Sequence, residues 1–89
     1  MRVYLQAPAS SDAAPKFCHL VLAQDLLGHW TLSRETGQQG ARSQLRREVF
    51  TDQVSAQQAW EQARDQCLQR GFRVMFVEGT DARSAGDLR

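Results

Sequence analysis

The stretch from Phe17 to Glu35 constrains the fold more than any other part of the chain. Phe17 to Ala23 alternates Phe17, His19, Val21 and Ala23 with Cys18, Leu20 and Leu22. It is apolar on both faces, as expected of a strand inside a sheet. Gln24 to Gly28 carries turn chemistry: Asp25 can cap locally and Gly28 can take positive φ. His29 to Glu35 then alternates cleanly, with Trp30, Leu32 and the Arg34 stem on one side and His29, Thr31, Ser33 and Glu35 on the other. The spacing predicts an antiparallel hairpin with one half-buried face.

The rest of the chain can be placed around that hairpin. Val3 to Gln6 reads as a short strand, and Ala7 to Lys16, with Pro8 and Pro15, as a connector. Thr36 to Ser43 holds Gly37 and Gly40 among small polar residues and reads as a loop. Gln44 to Phe50 returns to strand, with Leu45 and Val49 as its apolar face. From Ser55, the expected N-cap, Ala56, Ala59, Trp60, Ala63, Cys67 and Leu68 recur at helical spacing. Gly71 stands where a helix-ending glycine belongs, with Arg70 in the last turn. Phe72 to Val77 is a final strand. Residues 79–89 are small and polar and are expected to fray, leaving residues 1–78 as a single domain. Strands first and one amphipathic helix late predict an α+β fold, an antiparallel sheet of four to five strands with the helix packed on one face. Trp30 and Trp60 are the expected anchors of that packing.

Size and charge narrow the function classes. Eighty-nine residues allow one small core, and 42% hydrophobic with 24% charged residues is ordinary for a globular chain. The formal net charge is only +1, whereas a dedicated nucleic-acid binder usually carries a clear basic excess. No apolar run is long enough to span a bilayer. The first residues lack the pattern of a secretory leader, so a cytoplasmic location is expected. Cys18 and Cys67 show no metal-ligand spacing. They read as reduced core thiols, with a disulfide between the first long strand and the helix as the alternative.

Few residue groups suggest chemistry. Cys18 and His19 point to opposite sides of a strand and cannot act as a nucleophile–base pair. Asp25 and His29 flank a turn, where a structural Asp beside a surface His is the simple explanation. No phosphate loop, serine elbow or metal pattern occurs, so neither enzymatic activity, a cofactor nor a small-molecule substrate is expected. The distinctive cluster is basic. Arg34, Arg42, Arg46 and Arg47 are opposed between positions 34 and 47 only by Glu35, a local net of +3. Arg46 and Arg47 must project to opposite sides, so one of them at most shares a face with Arg42. Guanidinium groups beside a glycine-bearing loop can approach phosphates, although a solvated strand with Arg–Glu pairing explains the same composition.

The order and spacing of several short motifs resemble the WGR domain family across Phe17 to Val77. They are Phe17, Gly28-His29-Trp30, Gly37, Gly40, Leu45-Arg46-Arg47-Glu48-x-Phe50, Ala56 to Trp60, and Arg70-Gly71-Phe72. In the poly(ADP-ribose) polymerases this domain helps bind DNA ends and breaks, and free-standing bacterial relatives are short chains like this one. Where the family has its Trp-Gly-Arg motif, this chain has Thr36-Gly37-Gln38, so the stacking indole and its cationic neighbour are replaced. The resemblance implies a non-enzymatic module binding DNA weakly through the 36–47 loop. The residues to carry contact are Arg34, Thr36, Gly37, Gln38, Gly40, Arg42, Arg46 and Arg47. The alternative is a protein-interaction module that keeps the fold without DNA contact, a reading the near-neutral charge and the Thr36 and Gln38 replacements favour.

Overall fold

The computed structural model describes residues 1–8 and 14–79. The expectation of a frayed tail falls almost wholly outside these residues. Five strands, β1 (Arg2–Gln6), β2 (Lys16–Gln24), β3 (Trp30–Gln38), β4 (Ser43–Phe50) and β5 (Arg73–Glu78), form one sheet in the order β4-β3-β2-β1-β5. Every neighbouring pair is antiparallel. The one helix among the described residues, α1 (Gln53–Gln69), links the two edge strands, β4 and β5. That connection must carry the chain from one edge of the sheet to the other, and it lays the helix across one face. The α+β architecture expected from the element order is therefore the one formed.

Strand alternation decides the core. Val3 and Leu5 of β1, Cys18, Leu20 and Leu22 of β2, and Leu32 of β3 all point to the helix side and are buried. They meet Ala56, Trp60, Ala63 and Cys67 of α1, the buried stripe of the helix. Trp30, Phe50 and Phe72 pack around this cluster half-buried. Trp60 is the central anchor and Trp30 a flanking one. The other face of the sheet is uncovered. There Tyr4 stacks on Phe17 with ring centroids 6.0 Å apart, and His19 lies edge-on to Tyr4 at 5.8 Å. Leu45 and Val49, expected to form one apolar face of β4, lie 55% and 66% exposed on this open side. The helix covers only the opposite face, so their alternation marks a side and not a burial.

The turn at Asp25 is formed as the residues predict. One Asp25 carboxylate oxygen accepts from the Leu27 and His29 backbone N–H groups, both at 2.9 Å, and Gly28 takes φ 88°. The helix begins differently from expectation. Asp52, not Ser55, is the N-cap, and its carboxylate accepts from the Ser55 N–H at 2.8 Å. Those hydrogen bonds favour the ionised form and hold the Asp52 carboxyl below its ordinary range. A capping oxygen must reach a free N–H two or three residues onward, so the cap lies one turn before the apolar stripe starts. At the far end, Phe72 N–H donates to Cys67 O at 3.0 Å and Gly71 N–H to Leu68 O at 3.1 Å, with Gly71 at φ 93°. This is a Schellman closure with Arg70 as the cap residue.

Thr36, Gly37 and Gln38 were expected in a loop and are strand. Cys18 pairs with Thr36, Phe17 with Gly37 and Lys16 with Gln38, while Gly37 faces Ser43 across β4. The true turn is short, with Ala41 N–H donating to Gln38 O at 3.0 Å and Gly40 at φ 78°. Gly37 has no left-handed backbone; it is needed for space. A Cβ there would stand 3.0 Å from the Cα and Cβ of Ser43 and 3.1 Å from the Arg42 carbonyl oxygen. Gly37→Ala is therefore expected to destabilise the domain by about 1–3 kcal/mol through overpacking, read as a lower urea midpoint. An unchanged midpoint would show that the two strands part without cost.

Candidate anion-binding basin

The antiparallel order brings one end of several elements together: the starts of β2 and β4, the end of β3 and the C-terminus of α1. The helix stops short of this end, leaving an open basin of about 830 Å³ on the helix side of the sheet. Cys18 and Cys67 lie in its lining, as do Thr36, Gln38, Gln44, Phe17 and Phe72. Three cations also line it, Lys16, Arg42 and Arg70, and among the described residues no Asp or Glu does.

Two further arginines flank the basin. Arg34 pairs with Leu20 on one side and with Arg46 on the other, so both guanidinium-bearing residues project to the helix side. Arg47 pairs with Ser33 and projects to the open face. Among the described residues the ion pairs are Arg2–Glu78 at 3.6 Å, His29–Asp25 at 3.9 Å and Arg64–Asp65 at 3.0 Å. None of them engages Lys16, Arg34, Arg42, Arg46 or Arg70. Glu35, the acid nearest in sequence, lies on the open face, since its partners are His19 and Leu45, and it accepts from the Ser43 hydroxyl at 2.8 Å.

Asp25 and Asp52 lie by the first hairpin turn and the helix N-terminus, and Glu78 ends β5, all away from the basin. Glu48 opposes Leu32 and so shares the helix side with Arg34 and Arg46, and Glu61 and Asp65 lie on α1. A helix C-terminus contributes about half a negative charge, which opposes an anion nearby. Here the Cys67 and Leu68 carbonyls are already hydrogen-bonded by the closing turn, and three full positive charges outweigh the remainder.

Each residue expected at the site can now be placed. Arg42, Thr36, Gln38 and Gly37 line the basin, and Arg34 and Arg46 border it on the same face. Gly37 contributes close strand approach, and Gly40 forms the exposed turn beyond. The Gln38 amide is committed, donating to Ala14 O at 3.1 Å. Arg47 does not belong to the group, because a strand's period of two sends it to the other face. Lys16 and Arg70 are members that the sequence reading passed over. Lys16 and Arg70 both lie outside the 34–47 cluster in sequence, and tertiary structure alone joins them to it. Cys18 and His19 face opposite sides of β2, as alternation requires, with Cys18 buried and His19 against Tyr4.

No metal-ligating group of three or more His, Cys, Asp or Glu side chains occurs among the described residues. No helix among them is long and apolar enough to cross a membrane. Compared with known proteins, the chain matches no family model, no curated protein and no solved structure.

Proposed function

We propose that this chain is a WGR-like, non-enzymatic module that binds nucleic acid weakly through the basic basin at the end of its sheet. The observation that carries this reading is the convergence of Lys16, Arg42 and Arg70 on one concave surface, with no acidic residue among the described residues of its lining. Arg34 and Arg46 extend the positive surface along the same face. Such a surface suits phosphate oxygens, which guanidinium forks engage in charge-assisted hydrogen bonds. With Thr36 in place of an indole, stacking on a sugar is not available at that position, so affinity rests on charge and falls steeply with salt. Fluorescence anisotropy with nicked and blunt duplexes over a salt series tests the reading. Salt-dependent binding is expected, and a folded sample that binds neither duplex at low ionic strength overturns it.

A second reading, a protein-interaction module, is favoured by strand β5. This edge strand exposes Val74, Met75, Phe76 and Val77 consecutively, each between 43% and 58% accessible. The other edge, β4, is interrupted by Arg46, Arg47 and Glu48, the usual protection of a free edge, and β5 has no charge between its ends. The occupant that fits is a second copy of the chain. Antiparallel self-pairing brings Arg73 of one copy alongside Glu78 of the other, and parallel pairing would align like charges. Light scattering is expected to show a dimer that Met75→Lys dissociates. Monomeric wild-type protein across the micromolar range would exclude this interface.

A further inference from the structure

We infer that Cys18 and Cys67 form an intramolecular disulfide when the protein meets a small-molecule disulfide oxidant, making the floor of the basin a covalent modification site. The two thiols come from residues 49 positions apart, one on β2 and one near the end of α1, yet their sulfurs lie 3.1 Å from one another. Both are free and buried, and both face the basin, the route by which a small oxidant reaches them. Bond formation requires the sulfurs to close by about 1 Å, a movement within reach of a side-chain torsion and a slight shift of the last helical turns.

The order of attack follows from surroundings. Cys18 is 1% exposed and Cys67 9%. Burial, then the hydrogen bond with Cys67, pushes the Cys18 thiol up to about 12, so Cys18 is a poor first nucleophile. Cys67 therefore reacts first. It loses its proton to solvent and its thiolate attacks one sulfur of the oxidant, breaking that S–S bond and expelling a small thiolate, which takes up a proton. Cys18 then attacks the Cys67 sulfur of the mixed disulfide, its proton passing to the second departing thiolate. In sum, two protein thiols are oxidised to one disulfide, and one small disulfide is reduced to two thiols. The bond staples α1 to β2 beneath Lys16, Arg42 and Arg70. The inference does not depend on what the basin binds.

The test is equilibration of the folded wild-type chain with oxidised glutathione at pH 8, followed by intact mass and a thermal melt. The expected result is a monomer lighter by two hydrogens, with no titratable thiol. Its melting temperature should be raised by roughly 15 °C or more, as a loop of this length implies, and a reductant should reverse the rise. Cys67→Ala, treated identically, is expected to show no rise. Two thiols that stay titratable in the wild type would overturn the inference. So would a stable mixed disulfide, a covalent dimer in place of the closed ring, or a rise that persists in Cys67→Ala.

Discussion

Replacing Trp60 with Ala is expected to lower stability by about 3–5 kcal/mol, a large share of the 5–15 kcal/mol typical of a native domain. Trp60 is 4% exposed and stands among Ala56, Ala63 and the β2–β3 leucines. Ala56 and Ala63, its buried neighbours on the helix, are too short to refill the space. Arg64 covers the outer face of the ring, with its guanidinium carbon 5.4 Å from the centroid, and that contact is lost too. The indole N–H has no hydrogen-bond partner although it is buried. Trp60→Phe therefore forfeits no hydrogen bond and is expected to cost only about 1–2 kcal/mol, as a partial loss of volume. For a domain this small, the alanine variant should melt at least roughly 12 °C below wild type. Equal losses for Ala and Phe, measured by urea denaturation, would mean that the ring's volume is not what holds the helix to the sheet.

The second large effect is an asymmetry between adjacent residues. Arg46→Glu combined with Arg42→Glu is expected to weaken duplex binding by roughly 10²-fold at 0.1 M salt. The slope of log K against log salt should shrink by about 2, one unit for each phosphate contact. Arg47→Glu reverses one charge against two in the double variant, so net charge alone would weaken binding by roughly tenfold, yet it should alter affinity by no more than roughly threefold. Arg46 and Arg34 share the helix side across β3 and β4, whereas Arg47 opposes Ser33 on the open face. Both variants change exposed positions and should fold, which circular dichroism verifies. If Arg47→Glu weakens binding by roughly tenfold or more, half the double variant's loss on a logarithmic scale, net charge governs binding and the basin does not.

Parts of this architecture are legible in the residues because local physics is sufficient to set them. Asp25 and Gly28 form their turn with hydrogen bonds spanning four residues at most, and Gly71 ends α1 for the same local reason. The alanine and Trp60 spacing specifies the buried helix stripe. Thr36 to Gln38 is a different case. Its glycine and small polar residues have loop propensity, and simultaneous pairing with β2 and β4 overrides it. The N-cap moved from Ser55 to Asp52 because the helix starts before its apolar stripe does. Leu45 and Val49 show that alternation identifies two faces without telling which one the helix covers.

The sequence alone determined the elements, their order, and the separation of Arg46 from Arg47, since these follow from periods of two and 3.6 residues along the chain. Only the tertiary structure decided that Lys16, Arg34, Arg42, Arg46 and Arg70 share one side of the sheet and that Cys18 meets Cys67. Those groupings depend on antiparallel register and on the face the helix covers, which residues far apart in sequence settle jointly.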